Sequence, residues 1–470
     1  MVNFTDATIE EIFGADDAEN ERPERLLQYF YANQAYAQLT SELPVRVLVA
    51  HKGVGKSALL KRAYLADTER KRPSVWLRPN DLVETKAAAA SQTDFILRVE
   101  EWKVGLLREV LSYLIVGSYG EGNLDAISDA ALKRPKSLIQ LINKSLSADY
   151  QNMPVNIYID DIDRGWSAEQ NDIGNISALL TAIRDIGGDS PNIRIRIGLR
   201  SDVYFLVRTS DESTDKIERH VIWLRWTNDD ILRMAALRVA SYLKLGFDQA
   251  KIANLTQKQI SDQILSQVIN PRYQGRGKWA DRPTYRVLMS LVRNRPRDLV
   301  KLFHAAARAA KSEDSPIIET RHLERSLEPY SQERLQDIVN EFRTELPQVQ
   351  NLLFELKPTT KGRRTADGYL FTTDRLVTKL KQAMDHVQLR FTNRRPVTPL
   401  ALVQFLYKID FITARRDEDG YINRKYFDES RFLALEIADF GYGWEIHPAY
   451  RWALQPQDIN GVFDTLDADA

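Results

Sequence analysis

Between Val45 and Leu60 the chain reads V-R-V-L-V-A-H-K-G-V-G-K-S-A-L-L, a β-branched strand pattern that breaks at two glycines and resumes as a helical pattern. No other stretch constrains the fold as strongly, because a strand running through a tight glycine turn into a helix is the opening half of a parallel β-α-β unit. Gly53 and Gly55 supply backbone conformations closed to other residues and let N–H groups approach an anion. A helix starting near Lys56 aims the positive end of its dipole at the same point. The stretch reads as a phosphate-binding loop formed by His51, Lys52, Gly53, Val54, Gly55, Lys56, Ser57 and Ala58. In it Lys56 reaches the β- and γ-phosphates of a nucleotide and the Ser57 hydroxyl ligates Mg²⁺. Ala50 stands where the pattern GxxxxGK[ST] has glycine, the mildest departure available.

A second stretch, V-N-I-Y-I-D-D-I-D-R-G-W from Val155, is apolar at Val155, Ile157 and Ile159 and ends in Asp160-Asp161. This is the pattern of a Walker B strand. A carboxylate at the end of a strand beside the phosphate loop holds the hydration shell of Mg²⁺, a role assigned to Asp160. Asp161 then orients or deprotonates the attacking water, since a general base has to lie within hydrogen-bond reach of its proton. Asp163 and Arg164 extend the cluster and read as a structural ion pair. Taken alone, the same acids are equally well a solvated strand end.

At 470 residues the chain has length for two or three domains and a large core. Lys plus Arg and Asp plus Glu number 65 each, so no global charge favours nucleic acid or an anionic membrane, although a local basic face stays open. The absence of cysteine excludes disulfides and thiolate chemistry and fits a reducing cytoplasm. The six histidines show no metal-ligand spacing. No apolar run approaches the roughly 18 residues of a membrane span, and Met1 opens an acidic segment with no secretory pattern. The expectation is a soluble, cytoplasmic protein with no membrane partner.

Residues 1–44 are helical in pattern, with Leu26, Leu27, Phe30, Tyr31 and Tyr36 spaced along one face, and are expected to pack on the nucleotide domain. Ile12-Phe13-Gly14 is a candidate contact for a nucleotide base, with ordinary helix packing as its rival. After the phosphate loop come a strand at Ser74 to Arg78, a long helix from Phe95 to Ile115 and the acidic strand. A strand at Ile193 to Arg200 follows, in which Ile193, Ile195, Ile197 and Leu199 alternate with Arg194, Arg196 and Gly198, and a fifth strand lies at Val221 to Leu224. Strands alternating with helices give an α/β fold with a parallel sheet covered on both faces. A ligand sits at the carboxyl ends of such strands, where Lys56, Asp160 and Arg200 fall.

This order of elements resembles the AAA+ and STAND branch of the ASCE-type P-loop NTPases. The resemblance implies a core over residues 45–226, a helical lid over 227–318 and a C-terminal helical and winged-helix-like domain over 319–470. It implies ATP and Mg²⁺ as cofactors and places a polar sensor 1 residue at Arg200, where many family members carry Asn or Thr. Asn294-Arg295-Pro296-Arg297-Asp298-Leu299 looks like the sensor 2 motif, with Arg297 reaching the γ-phosphate and Arg295 as fallback; Pro296 suits a first helical turn. A homo-oligomer is a further implication, with Arg208 and Arg219 as candidates for an arginine acting on a neighbour's site.

The lid carries a basic run, Arg272, Arg276, Lys278, Arg282, Arg286, Arg293, Arg295, Arg297 and Lys301, interleaved with Tyr273, Trp279 and Tyr285 that could stack on bases. A solvated helix face is the plainer reading. Further on, Lys357 to Gly368 reads as a mobile loop, Thr398 to Phe411 as a helix and Phe411 to Phe427 as a hairpin about Asp419-Gly420. A helix from Glu429 to Ala438 and a strand near Trp444 complete a winged-helix pattern. The acidic tip Asp417-Glu418-Asp419 suits protein docking better than phosphate.

The chain as a whole is similar to bacterial ATPases encoded in phage-defence and other conflict-associated systems. The matching stretches are Phe13 to Glu21, H-K-G-V-G-K-S-A, I-D-D-I-D, L-R-S-D-V, N-R-P-R-D-L and I-H-P-A-Y ending at Tyr450. The resemblance implies an ATP-hydrolysing conformational or assembly switch with a separate effector protein. A nucleic-acid-stimulated motor or loader and a non-hydrolysing ATP-dependent scaffold are the alternatives.

Overall fold

The computed structural model describes residues 2–15, 21–117, 119, 127–151, 153–210, 212–363, 365–418, 421–430, 433, 441–456 and 458–466. It divides into two compact units, Asp17–Arg225 and a second made of Met1–Asp16 with Trp226–Ala470. The N-terminal segment is thereby split. Helix α1 (Asp6–Phe13), capped by the Thr5 hydroxyl, belongs to the second unit, whereas α2 (Pro23–Tyr29) and α3 (Gln34–Leu39) belong to the first.

In the first unit, β1 (Val45–Ala50) leads into α4 (Lys56–Glu69), followed by β2 (Ser74–Leu77), α5 (Phe95–Val116), β3 (Val155–Ile159), α6 (Gln170–Asp189), β4 (Ile193–Arg200) and β5 (Val221–Trp223). The five strands form one parallel sheet in the order β2-β3-β4-β1-β5. β4 thus lies between the phosphate-loop strand and the acidic strand, with Ala50 in register with Arg200 and Ile159 with Ile197. The chain has an α/β P-loop core, with one strand between the phosphate-loop strand and the acidic strand. Strand residues are buried on both faces because α5 and α6 cover one side and α4 the other. This places even Arg196 inside, 3% exposed, where its guanidinium donates to the carbonyls of Ser41 at 2.7 Å and Pro44 at 3.3 Å.

In the second unit, α7 (Asn228–Tyr242), α8 (Pro296–Lys311) and α9 (Thr320–Phe342) pack with α1 around a common helical core. Phe13 stacks on Phe303 with ring centroids 4.7 Å apart, and Ile12 is fully buried. The candidate base contact at Ile12-Phe13 is therefore helix packing. The chain continues through α10 (Val349–Glu355), β6 (Leu370–Phe371), α11 (Thr373–His386), α12 (Pro399–Lys408), β7 (Ile412–Glu418), β8 (Tyr421–Lys425) and β9 (Gly443–Ile446). The last four strands make an antiparallel sheet in the order β6-β9-β7-β8, a winged-helix-like arrangement with α11 and α12. Lid and C-terminal region are continuous, because α9 packs on α8 and on the helix Arg451–Leu454. The hairpin turn Asp419-Gly420, most of the expected helix from Glu429 to Ala438 and residues 16–20 of the Phe13 to Glu21 stretch lie outside the described residues.

In the loop Lys357 to Gly368, apart from residue 364 outside the described residues, tight turns follow one another. Successive bonds run from the N–H groups of Gly362, Thr365 and Gly368 to the carbonyls of Thr359, Gly362 and Thr365. The loop closes so tightly that a Cβ on Gly368 would fall 2.2 Å from the Gly362 carbonyl oxygen.

Candidate functional site

Gly53 and Gly55 both take positive φ, 80° and 102°, which turns the loop between β1 and α4 and leaves Gly55 as the left-handed cap of α4. Val54 is buried and anchors the loop from below. Lys56 at the first position of α4 folds back over the loop, its Nζ donating to the carbonyls of Ala50 at 3.0 Å and His51 at 3.3 Å. Its charge also opposes the upward push of burial on the carboxyls of Asp160 and Asp163 nearby.

The acidic strand end lies beside it. Asp160 is 5% exposed and hydrogen-bonds the Ser57 side chain; burial pushes its carboxyl up to about 6 against the lowering effect of that bond. Gly198 on β4 leaves room for this carboxylate, since a Cβ there would sit 3.2 Å from Asp160 Oδ1 and 2.9 Å from Leu60. Asp161 takes a left-handed φ of 60°, turning its side chain out into the site, 41% exposed. Such backbone in a non-glycine residue costs about 1–3 kcal/mol, and Asp is among the residues that tolerate it best. Its carboxylate accepts from Arg164 at 2.6 and 3.2 Å.

The expected Asp163–Arg164 pair is not formed. Asp163 points inward and accepts the Arg200 backbone N–H at 2.7 Å, locking the end of β3 to the end of β4. Burial pushes its carboxyl up, opposed by Lys56 and Arg200. The Arg200 guanidinium lies on Asp202 at 2.7 and 3.0 Å. A cavity of about 100 Å³ beside Ser57, Asp160 and Asp161 is completed by Lys61, Trp76, Arg78, Pro79, Asn80 and Arg164. Sequence reasoning passed over Trp76, Arg78 and Asn80. The polar run R-P-N-D closing β2 was the available signal, because every strand of a parallel sheet delivers its carboxyl end to the same edge.

In the second unit, Arg297 is the second residue of α8, half-buried, with its Nε buried and without a hydrogen-bond partner among the described residues. The fallback Arg295 is committed elsewhere: it is 3% exposed and pairs with Asp410 at 2.7 Å. Arg293 is likewise buried, on Asp298 and the Tyr450 hydroxyl. Tyr273, Trp279 and Tyr285 are core residues, with Trp279 packed against Tyr273, Trp452 and Phe463, so they offer no stacking faces to bases. Of the trans candidates, Arg208 pairs with Glu218 at 2.9 Å, and exposed Arg219 donates to His220.

Among the described residues, no helix is long and apolar enough to cross a membrane, and no group of three or more His, Cys, Asp or Glu is placed to hold a metal ion.

Asp160 predicts a pH dependence. Its carboxyl titrates near 6, above an unfolded carboxyl near 3.9, so protonation is favoured in the folded protein and is lost as pH rises through about 6. A Mg²⁺ shell needs the carboxylate. On the expectation that Asp160 holds a Mg²⁺ shell, the Mg²⁺-dependent part of nucleotide affinity falls toward tenfold per pH unit below about 6. Titration of a fluorescent ATP analogue with and without Mg²⁺, beside Asp160→Asn, checks this; identical profiles for the two proteins would remove Asp160 from the site.

Three comparisons bear on the chain. Residues 231–339 match the model of the FunZ-associated C-terminal helical domain. The chain is 23% identical over 335 residues to the putative transposon gamma-delta 80.3 kDa protein of Escherichia coli K12; the match covers 66% of this chain and 42% of that protein. Among solved structures it is similar to Aeropyrum pernix ORC2 in its ADPNP-ADP complexes, at TM-score 0.42 and 12% identity, covering 93% of this chain and 97% of that one. It is also similar to Cdc6p of Pyrobaculum aerophilum, at TM-score 0.35 and 12% identity, covering 98% and 99%.

Proposed function

We propose that the chain is a Mg²⁺-dependent ATPase that works as a conformational or assembly switch. The observation that carries this reading is the meeting of Ser57 with buried Asp160 at the mouth of a glycine loop, with Asp161 turned out beside them. ATP and Mg²⁺ fit this donor set: N–H groups and an ammonium for phosphate oxygens, a hydroxyl and a carboxylate for a hydrated hard cation. When bound, Mg²⁺ neutralises charge on the phosphates. Lys56 and the loop from His51 to Ala58 bind and orient the phosphate chain; Ser57 and Asp160 hold the metal shell. Asp161 orients the attacking water and accepts its proton, while Arg200 responds to the terminal phosphate; the sensor 2 role of Arg297 is carried by the motif resemblance alone.

Switching requires contacts that differ between nucleotide states, and Arg200, whose guanidinium now lies on Asp202, is the residue of the first unit given that role. We place the switch in a bacterial cytoplasmic antiphage system, as a homo-oligomer acting on a separate effector. The resemblance of the motifs to conflict-associated ATPases supports that setting, and the name of the Escherichia coli relative, a transposon protein, points to the neighbouring world of mobile elements.

The test is phosphate release by the full chain with ATP, with and without Mg²⁺, while light scattering follows mass. Release that needs Mg²⁺ and a mass that changes with nucleotide are expected. Lys56→Ala should weaken nucleotide binding about tenfold or more, as loss of a charge-assisted bond does. Mg²⁺-independent release, or a mass indifferent to nucleotide, would overturn the respective half of the reading.

A further inference from the structure

Residues 357–398 carry ten Lys or Arg against three Asp or Glu, a net of +7 inside a chain whose net charge is zero. The structure gathers much of this charge around α11. The turn-built loop before β6 and the first turns of α11 border an open pocket of about 510 Å³, lined among others by Thr359, Gly362, Asp374, Arg375, Thr378 and Lys379. Lys379 Nζ donates to the carbonyls of Leu356 at 3.2 Å and Lys357 at 2.8 Å, pinning the start of the loop to the end of α10. Arg375 and Lys379 both lie over the Phe371 ring, at 5.5 Å, which fixes their stems while Arg375 stays exposed.

The charge continues at the other end of α10. The Arg390 N–H donates to Gln348 Oε1 at 3.1 Å, just before that helix, and exposed Arg394 and Arg395 follow. Seven helical residues separate the two ends by about 10 Å, the rise of about three nucleotides along a strand. The competing basic surfaces are weaker. The β7–β8 hairpin neutralises itself, Arg415 on Asp417 and Arg416 on Glu418, and the lid's Arg293 and Arg295 are buried in ion pairs.

We propose that the described loop residues 357–363 and 365–368, the exposed side of α11 and the stretch 390–395 form one binding track for the phosphodiester backbone of nucleic acid, with a phosphate seated in the pocket beside Arg375. Arginine and threonine donors on a pre-formed loop position a backbone without reading its bases, so binding is insensitive to sequence. The inference stands independently of ATP hydrolysis.

The experiment is fluorescence anisotropy of the full chain with labelled single-stranded DNA, duplex DNA and RNA oligonucleotides over a salt series, with poly-glutamate and free ATP as competitors. Binding that weakens steeply with salt is expected. The combined variant Lys361→Gln, Arg375→Gln, Arg394→Gln, Arg395→Gln changes only exposed side chains and leaves Lys379 in place. It is expected to bind at least about tenfold more weakly at 0.1 M salt, with the slope of log K against log salt shallower by about 2–3. Arg272→Gln with Arg282→Gln in the lid should change neither. Wild-type-like binding by the quadruple variant, loss of binding in the lid variant instead, or equal displacement by poly-glutamate or by free ATP would each overturn the proposal.

Discussion

Asp161→Asn is expected to lower the rate of ATP hydrolysis at least about 100-fold while leaving ATP affinity within about threefold, because a positioned general base contributes about 10²–10⁴ and uniform binding is untouched. The side chain is outside the buried network: Asp161 is 41% exposed on a left-handed backbone, so the amide fits without repacking. Its bond to Arg164 raises the question of whether that arginine restrains it. Magnitudes decide. An exposed ion pair contributes at most about 1 kcal/mol, so Arg164→Ala should change turnover by no more than about fivefold. Single-turnover phosphate release with a parallel binding titration separates the two substitutions. Turnover preserved in Asp161→Asn would move the base elsewhere in the acidic cluster and sink the assigned role.

The nucleotide-facing half of the fold was legible because its signals are local. Gly53, Gly55, Lys56 and Ser57 are consecutive or nearly so, and each does what its side chain, or lack of one, dictates within a single turn. Ile193 to Arg200 was legible as a strand in a sheet covered on both faces, but not the partners of its arginines: Arg196 is buried on carbonyls of Ser41 and Pro44. Period two marks a strand and says nothing about which face a second layer of helices will cover. The lid was misread for the same reason. Tyr273, Trp279 and Tyr285 interleave with arginines in sequence, yet the rings turn inward, and Arg293 and Arg295 follow them to acids supplied by Asp298 and Asp410. Asp410 is far along the chain, and no local window contains it. The basic run at 357–398 escaped notice because a whole-chain balance of zero hides a regional excess.

The stretch N-R-P-R-D-L also has a structural job, and that job gives the second large effect. Asp298, 1% exposed, accepts from Arg293 at 2.7 and 2.9 Å and from Arg334 at 2.9 Å, and Arg293 continues to the Tyr450 hydroxyl in the I-H-P-A-Y stretch. Burial alone would push this carboxyl up; the Arg293 and Arg334 guanidiniums outweigh it and hold it well below the usual carboxylate range. A depressed carboxyl contributes stability that is complete above about pH 4 and is lost only as pH falls further, so wild-type stability from this site should be flat between about pH 5 and 7. Asp298→Asn leaves buried Arg293 short of its counter-charge, while Arg334 keeps Asp337 at 3.0 Å and Glu333 at 3.4 Å, and is expected to destabilise the second unit by about 3 kcal/mol at neutral pH. The triple replacement Arg293→Met, Asp298→Leu, Arg334→Met removes the charges together and should recover most of that loss, because burying the set already cost desolvation that apolar side chains do not incur. Urea unfolding followed by tryptophan fluorescence reads both, since Trp279 and Trp452 sit in the same unit. A loss below about 1 kcal/mol in Asp298→Asn would mean that the arginines find water or other acids, and the cluster would then be a bystander to folding.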